Sequence, residues 1–166
     1  MLKTKLVSSQ VKAFLEDTID AFAPLESLTA LGGERVSVQL LYVEAQKSDR
    51  YLAQVQLEGD LAPFSSVRDV RCVPVDRPVN PDRYDDQYLR TEPGVYPDLL
   101  TPLRYGGQVV LSRNRLRSLW VEIEIPRGHW GTHTLRVTLS APEEGFCATA
   151  SVEIRVLAAD LPEQKL

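Results

Sequence analysis

Apolar and polar residues alternate one by one along four separate stretches of this chain. These stretches are residues 51–58, 119–125, 132–140 and 151–156. In one of them, for example, Leu119, Val121 and Ile123 alternate with Trp120 and Glu122. Successive side chains of a β-strand point to opposite faces, so this period is typical of a strand with one face on a core. The pattern predicts antiparallel strands that are each half-buried.

Other stretches fit the same architecture. Residues 36–43 are apolar at nearly every position, which predicts a central strand covered on both faces. Residues 67–75 and 108–111 are weaker strand predictions, and residues 2–7 are a candidate edge strand. Closely spaced strands with glycine- and proline-containing turns between them predict an all-β fold. We therefore expect a two-sheet antiparallel β-sandwich of the immunoglobulin-like kind.

One helical pattern competes near the start of the chain. Val11, Phe14, Leu15, Ile19 and Phe22 follow the spacing of one helix face. Ser9 is available as an N-terminal cap. The sequence is therefore compatible with one short N-terminal helix as well as with a coil here.

Residues 76–107 show no sustained alternation. They hold five of the eleven prolines and four of the six tyrosines of the chain. Proline restricts the backbone and lowers the entropy lost on ordering, so such a loop can hold one shape. We predict a long ordered loop that covers another surface. Trp120 points away from the core side of its strand, so either this loop or another domain is expected to pack over it.

Composition bounds the function. The 166 residues are enough for one domain, and the formal net charge of −4 disfavours nonspecific nucleic-acid binding. No apolar run is long enough to predict a membrane span. No leader peptide is readable at the start, which predicts a cytoplasmic protein, although a leader trimmed from this sequence would be consistent with secretion. Cys72 and Cys147 have no metal-ligand or redox spacing and are predicted to be buried free thiols.

No motif for catalysis, cofactor binding or metal binding stands out. His129 and His133 are spaced like a helical ligand pair, but glycines between and beside them predict a turn and a strand start. The adjacent carboxylates of Glu143 and Glu144, and those of residues 85–86, are expected to be solvated. The sequence therefore predicts no enzyme activity and no cofactor.

Two groups of side chains allow a binding function. Arg113, Arg115 and Arg117, with Arg104 upstream, form either an anion or partner patch or a solvated strand face. The four aromatic residues form either a sugar-stacking platform or anchors for loop and domain packing. They are Tyr88, Tyr96, Trp120 and Trp130.

Several segments together resemble the N-terminal β-sandwich of glycoside hydrolase family 123-like proteins. The similarity starts at LGGERVSVQ (residues 31–39) and includes the loop YLRTEPGVYPDLL (residues 88–100). It continues in SLWVEIEIP (residues 118–126), followed by GTHT, and ends at the Leu161-Pro162 exit. His133 stands where an aromatic residue is usual, and Arg136 stands where glycine is usual.

The resemblance implies that residues 1–166 are one non-catalytic accessory domain. Family 123 enzymes resemble retaining β-N-acetylgalactosaminidases, whose aspartate–glutamate pair lies on a (β/α)8 barrel that follows the sandwich. Such a barrel needs about 250 residues, and this sequence does not supply it. The resemblance therefore implies no catalytic residue here. It implies a partner, namely a C-terminal catalytic barrel in the same polypeptide, and carbohydrate as a further candidate ligand.

Four residues are the best candidates for contact with that barrel or with a ligand: Arg90, Tyr96, Asp98 and Trp120. Arginine can pair across such an interface, and the two aromatic residues can bury large area in it. The alternatives are a stand-alone carbohydrate-binding module and an immunoglobulin-like protein-interaction module. Because sandwiches host many functions, the fold alone does not separate these three hypotheses.

Overall fold

The computed structural model describes residues 1–44, 51–79, 88–104 and 106–162. Ten strands run through these ranges, and they are numbered here in chain order. They are β1 (Leu2–Ser8), β2 (Ser27–Gly32), β3 (Arg35–Glu44), β4 (Tyr51–Glu58), β5 (Ser65–Val75), β6 (Gly94–Pro102), β7 (Gln108–Leu111), β8 (Arg117–Glu124), β9 (Gly131–Ala141) and β10 (Phe146–Asp160). Three short 3-10 helices accompany them, at Ile19–Ala21, Ala62–Phe64 and Pro142–Glu144.

The strands form two five-stranded sheets. Sheet A has the order β1-β3-β8-β5-β6, and sheet B has the order β2-β10-β9-β4-β7. Neighbouring strands are antiparallel except β2 and β10, which pair in parallel. The prediction of an all-β, two-sheet sandwich is confirmed. The predicted strands β1, β5 and β7 are present, whereas β2 and β6 were not predicted.

The main core lies between the two sheets. In β8 the residues Leu119, Val121 and Ile123 are fully buried, and the alternate residues face outwards. Leu135 and Leu139 of β9 reach the same core from sheet B. The alternation in the sequence therefore does define the buried face, because every second side chain of a strand leaves water.

The outer face of sheet A carries a second, smaller core. Leu40 belongs to the core between the sheets, whereas its neighbour Leu41 packs on the outer side, and both are fully buried. This confirms that β3 is covered on both faces. The cover is the N-terminal segment (residues 9–26), which contributes Ala13 and Ile19 to the outer cluster.

The N-terminal segment is not the helix that its spacing allowed. Only Ile19–Ala21 form a helical turn, of the 3-10 type. The ammonium group of Lys5 donates hydrogen bonds to the carbonyl oxygens of Ile19 and Phe22, at 2.9 and 2.8 Å. The buried amide of Gln39 donates to the carbonyl of Val11 at 2.6 Å. Sheet A therefore satisfies backbone groups that a helix would have paired within itself.

Part of the predicted loop at residues 76–107 is a strand. Gly94–Pro102 forms β6, which pairs with β5 and ends sheet A. Pro97 and Pro102 interrupt the strand pattern, yet a proline is tolerated on an edge strand because no further strand needs its missing N–H group. Residues 80–87 and 105, which include Tyr84, lie outside the described residues.

The two thiols differ in exposure. Both cysteines are free, and Cys72 on β5 is half-buried, but Cys147 is exposed. The prediction of burial was therefore wrong for Cys147. On β10 the even-numbered residues such as Val152 and Ile154 face the core, so Cys147 falls on the solvent side.

Candidate functional site

A groove lies on the outer face of sheet A, beside the part that the N-terminal segment covers. Its floor includes Trp120 of β8 and Val70 of β5, and its volume is about 320 Å³. Lys12 of the N-terminal segment and Asp98 and Leu100 of β6 also line it. We call this the outer groove. Trp120 is half-buried there, so neither solvent nor the protein surrounds it fully.

Arg90 packs against two aromatic rings next to this groove. Its guanidinium carbon is 4.9 Å from the ring centre of Phe14 and 5.7 Å from that of Tyr96. The two rings meet edge to face, with centres 5.4 Å apart. Arg90 also forms an ion pair with Glu16. The cation–π contacts and the ion pair together attach residues 88–96 to the N-terminal segment; we call this arrangement the Arg90 stack.

Gly94 lies in close contact with the guanidinium group of Arg90. A Cβ atom at residue 94 would lie 3.2 Å from a terminal nitrogen of Arg90. The hydroxyl of Tyr96 donates a hydrogen bond to the carbonyl oxygen of Glu92 at 2.8 Å. This bond closes the turn that leads into β6. Residues 90–96 therefore form a compact turn in which Gly94 and Tyr96 both contact Arg90.

Asp98 is paired inside the same molecule. Its carboxylate forms an ion pair with Lys12, and both side chains remain partly exposed. The register of β6 with β5 shifts at Asp98, because Pro97 and Leu99 pair with consecutive residues of β5. On either side of this bulge Tyr96 contacts Phe14, and Asp98 itself pairs with Lys12. Two neighbouring contacts therefore attach the N-terminal segment to β6.

The structure brings all four candidate residues to one side of the molecule. Asp98 and Trp120 line the outer groove, and Arg90 and Tyr96 form the stack beside it. The charged groups of Arg90 and Asp98 have partners within this chain. Whether any of the four contacts another domain or a ligand stays a prediction. Their partners Phe14 and Glu16 could not be predicted, because these contacts join residues at least 74 positions apart and local periodicity does not report on such pairs.

Exposed apolar side chains surround the outer groove. Leu89 is 77% exposed and Leu100 is 37% exposed, and both line the groove. Tyr88 next to them is also exposed. Clustered exposed apolar residues mark interaction sites more often than scattered ones do.

The two histidines lie elsewhere, at the turn between β8 and β9. The rings of His129 and His133 stack with centres 4.5 Å apart, and Nδ1 of His133 is 3.4 Å from a carboxylate oxygen of Asp60. The predicted turn and strand-start positions are confirmed. Within the described ranges no group of three or more side chains has metal-ligand geometry. In the same turn, the indole N–H of Trp130 donates a hydrogen bond to a carboxylate oxygen of Asp160 at 3.2 Å. Trp130 does not line the outer groove.

The four arginines of the candidate patch separate in the structure. Arg113 and Arg115 are exposed in the link before β8. Arg117 points between the sheets and pairs with Asp69, and Arg104 lies near it across a cleft. The alternating sequence therefore does not form one surface patch. Among the described residues no helix has the length and apolarity needed to cross a membrane.

Comparison with solved structures identifies the architecture. A family 123 glycoside hydrolase from Clostridium perfringens, studied for glycolipid glycan hydrolysis, matches 98% of this chain with a TM-score of 0.71. The sequences are 16% identical, and the match covers 28% of that chain. The fold is that of one part of a family 123 glycoside hydrolase. This confirms the resemblance that the sequence segments indicated.

Two further solved structures are similar at lower TM-scores. The N-terminal domain of PorA matches 95% of this chain and 99% of its own, at 8% identity and a TM-score of 0.40. A PapD-like domain of human CEP192 matches 82% of this chain and 84% of its own, at 11% identity and a TM-score of 0.38. No family model matches the chain. No curated protein matches it either.

Proposed function

We propose that this chain is a non-catalytic accessory domain of a glycoside hydrolase. It packs on and supports a C-terminal (β/α)8 catalytic domain that acts on N-acetylgalactosamine-type glycosides. The observation that carries the proposal is the match of 98% of this chain to 28% of a family 123 glycoside hydrolase. A domain that occupies a quarter of such an enzyme leaves ample length for a separate barrel.

The outer groove and its margin are the proposed contact surface. Leu89 and Leu100 are exposed on one side of the half-buried Trp120, so a partner placed there would remove apolar area from water. Interfaces between domains of one chain are fairly polar, and the ion pair of Lys12 and Asp98 at the rim fits that character.

The charged groups of this surface suit contact better than catalysis. Hydrolysis of a glycoside uses two carboxyl groups on either side of the bond to be cleaved. Asp98 is the single carboxylate among the described residues that line the outer groove, and Lys12 neutralises it. Glu122 on the same face of β8 pairs with Arg35 at 3.8 Å. We therefore assign the surface no step in the reaction.

The first experiment is a hydrolysis assay on the purified 166-residue chain with aryl β-N-acetylgalactosaminides. No turnover above the buffer rate is expected. Sequencing the gene beyond codon 166 comes next, and a continuation into a barrel is expected. Measurable turnover by the purified chain, or a reading frame that stops at Leu166, would contradict the proposal.

The contact surface is then tested in the complete gene product. Leu89→Ser is expected to lower the melting temperature of the catalytic domain and to increase cleavage between the domains by protease. Leu157→Ser is the matched control, because Leu157 is also an exposed leucine (40%) but lies on β10 of sheet B. Equal effects of the two substitutions would exclude the outer groove as the interface.

A carbohydrate-binding module is the second candidate, favoured by Trp120 in an open groove. Such modules use a row of exposed aromatic side chains for stacking on sugar rings. Here the ring of Tyr96 already packs against Phe14. The side chain of Trp130 is hydrogen-bonded to Asp160, away from the groove. Calorimetric titration of the chain with N-acetylgalactosamine-bearing glycans tests it. Saturable binding that Trp120→Ala abolishes would favour this second function.

A further inference from the structure

A second cleft opens between the two sheets on the side where β6 and β7 end them. Its volume is about 270 Å³. Asp69 and Arg71 reach it from β5, Arg117 reaches it from β8, and Arg104 reaches it from the link before β7. We call it the arginine cleft. It is separate from the outer groove, which lies on the opposite face of sheet A.

Arg117 is a largely buried cation of the arginine cleft. One of its terminal nitrogens lies 3.3 Å from each carboxylate oxygen of Asp69, and about a quarter of each side chain is exposed. Its Nε atom is buried and has no acceptor among the residues that the structure describes. Burial opposes its charge, but the ion pair and hydrogen bonds with the Asp69 carboxylate help to offset this and to raise the pKa of Arg117. Arg117 is therefore a fixed positive charge.

Arg71 and Arg104 add two further positive charges. Neither forms an ion pair or a side-chain hydrogen bond with any residue in the described ranges. The described lining thus carries three guanidinium groups against the single carboxylate of Asp69. This local excess of positive charge occurs in a chain whose formal net charge is −4.

Converging positive charges repel one another unless an anion lies between them. Guanidinium groups offer flat, paired N–H donors that match the oxygens of carboxylates, phosphates and sulfates. The cleft between the sheets lowers the exposure of Arg117 to water, which strengthens its attraction for an anion. A merely solvated strand face explains Arg113 and Arg115, which are exposed, but not this convergence.

We propose that the arginine cleft binds a small oxyanion, namely the phosphate or carboxylate group of a ligand. Arg71 and Arg104 contact the anion from two sides. Arg117, held in place by Asp69, supplies the positive charge at the inner end of the cleft. This site does not depend on the accessory function proposed above.

The test is titration of the ¹⁵N-labelled chain at low ionic strength with two probes, inorganic phosphate and glucuronate. Saturable shifts are expected at the backbone amides of Val109, Val110 and Ser112, which line the cleft. Binding of phosphate alone indicates a phosphorylated ligand, and binding of glucuronate alone indicates a carboxylate ligand. Absence of saturable binding by both probes would overturn the proposal.

Variants then locate the site. Arg71→Gln and Arg104→Gln should each weaken binding of the probe about tenfold, because each removes a charge-assisted hydrogen bond. Arg155→Gln is the control: it removes the same charge from an exposed position on β10 and should change the affinity less than about twofold. An equal loss of affinity in all three variants would show attraction by overall charge and would reject the cleft as the site.

Discussion

The outer face of sheet A has two halves that differ in cover. Over β1 and β3, the N-terminal segment encloses a small core in which Val7 and Leu41 are completely buried. Over β8, β5 and β6, the face is open as the outer groove, with Trp120 half-buried and Leu100 exposed. Both halves belong to one continuous sheet. The two halves therefore differ in burial because the N-terminal segment packs over one of them and not over the other.

The N-terminal segment also contacts the far edge strand, β6, through the Arg90 stack, and this contact is the boundary of its cover. There Phe14 of the N-terminal segment meets Arg90 and Tyr96. The ion pair of Lys12 and Asp98 continues this boundary along β6. Apolar residues of the N-terminal segment thus cover one half of the face. Ion pairs attach this segment to β6 and to Arg90, and the other half remains accessible. An accessible apolar surface on a stable sandwich is suited to contact with a partner.

The largest expected effect separates the two halves directly. Leu41→Ala removes a fully buried side chain from the covered half and should lower the free energy of unfolding by about 3 kcal/mol. Leu100→Ala in the open half should cost less than about 1 kcal/mol, because Leu100 is already in contact with water. Urea denaturation measures both. Equal losses would mean that the two halves do not differ in packing.

The boundary should contribute an intermediate amount. Arg90→Ala removes the contacts with two aromatic rings and the ion pair with Glu16, and should destabilise the chain by about 1–2 kcal/mol. Arg90→Lys should recover only part of this loss, because an ammonium group lacks the flat surface that stacks on the rings. Full recovery with lysine would show that charge alone holds the boundary.

The ion pair at the rim should contribute least to stability. Lys12→Ala should change the free energy of unfolding by less than about 0.5 kcal/mol, because Lys12 and Asp98 are both partly exposed and water screens their attraction. The small difference should shrink further in 1 M salt. A loss above 1 kcal/mol would show that this pair, and not the Arg90 stack, closes the covered half.

Thiol reactivity compares the open half with sheet B without altering the fold. Burial raises the pKa of the Cys72 thiol, so less of it is thiolate at pH 8. Cys147 is exposed on β10. Alkylation followed by mass spectrometry should therefore modify Cys147 several-fold faster than Cys72, and the rate at Cys72 should continue to rise above pH 9. Equal rates would show that the floor beside the outer groove is more open than the partial burial of Cys72 indicates.

The strands that lie over the main core could be predicted from the sequence. Leu119, Val121 and Ile123 alternate with outward-facing residues, and this local period is the direct consequence of strand geometry. β6 could not be predicted in this way because Pro97 and Pro102 break the pattern, and only its position at the sheet edge makes them acceptable. β2 carries little alternation, and its place in sheet B is decided by parallel pairing with the distant β10.

The N-terminal segment shows how a correct pattern can lead to the wrong element. Ala13, Ile19 and their apolar neighbours do form one buried face, as the helical spacing indicated. The spacing of apolar residues indicates which side chains are buried, but it does not indicate how the backbone groups form their hydrogen bonds. Here Lys5 and Gln39 of the sheet supply donors to that backbone, so a helix is not required.

The sequence by itself determined the two-layer β architecture, its core and the choice of Trp120 as an unusual outward residue, because all of these follow from alternation between neighbours in the chain. Only the tertiary structure decided which side chains meet. It packed Arg90 against Phe14 and Tyr96, and it brought Arg71 to the same cleft as Arg104 and Arg117. Contacts between residues far apart in sequence depend on how the sheets pair and pack, and no local pattern encodes them.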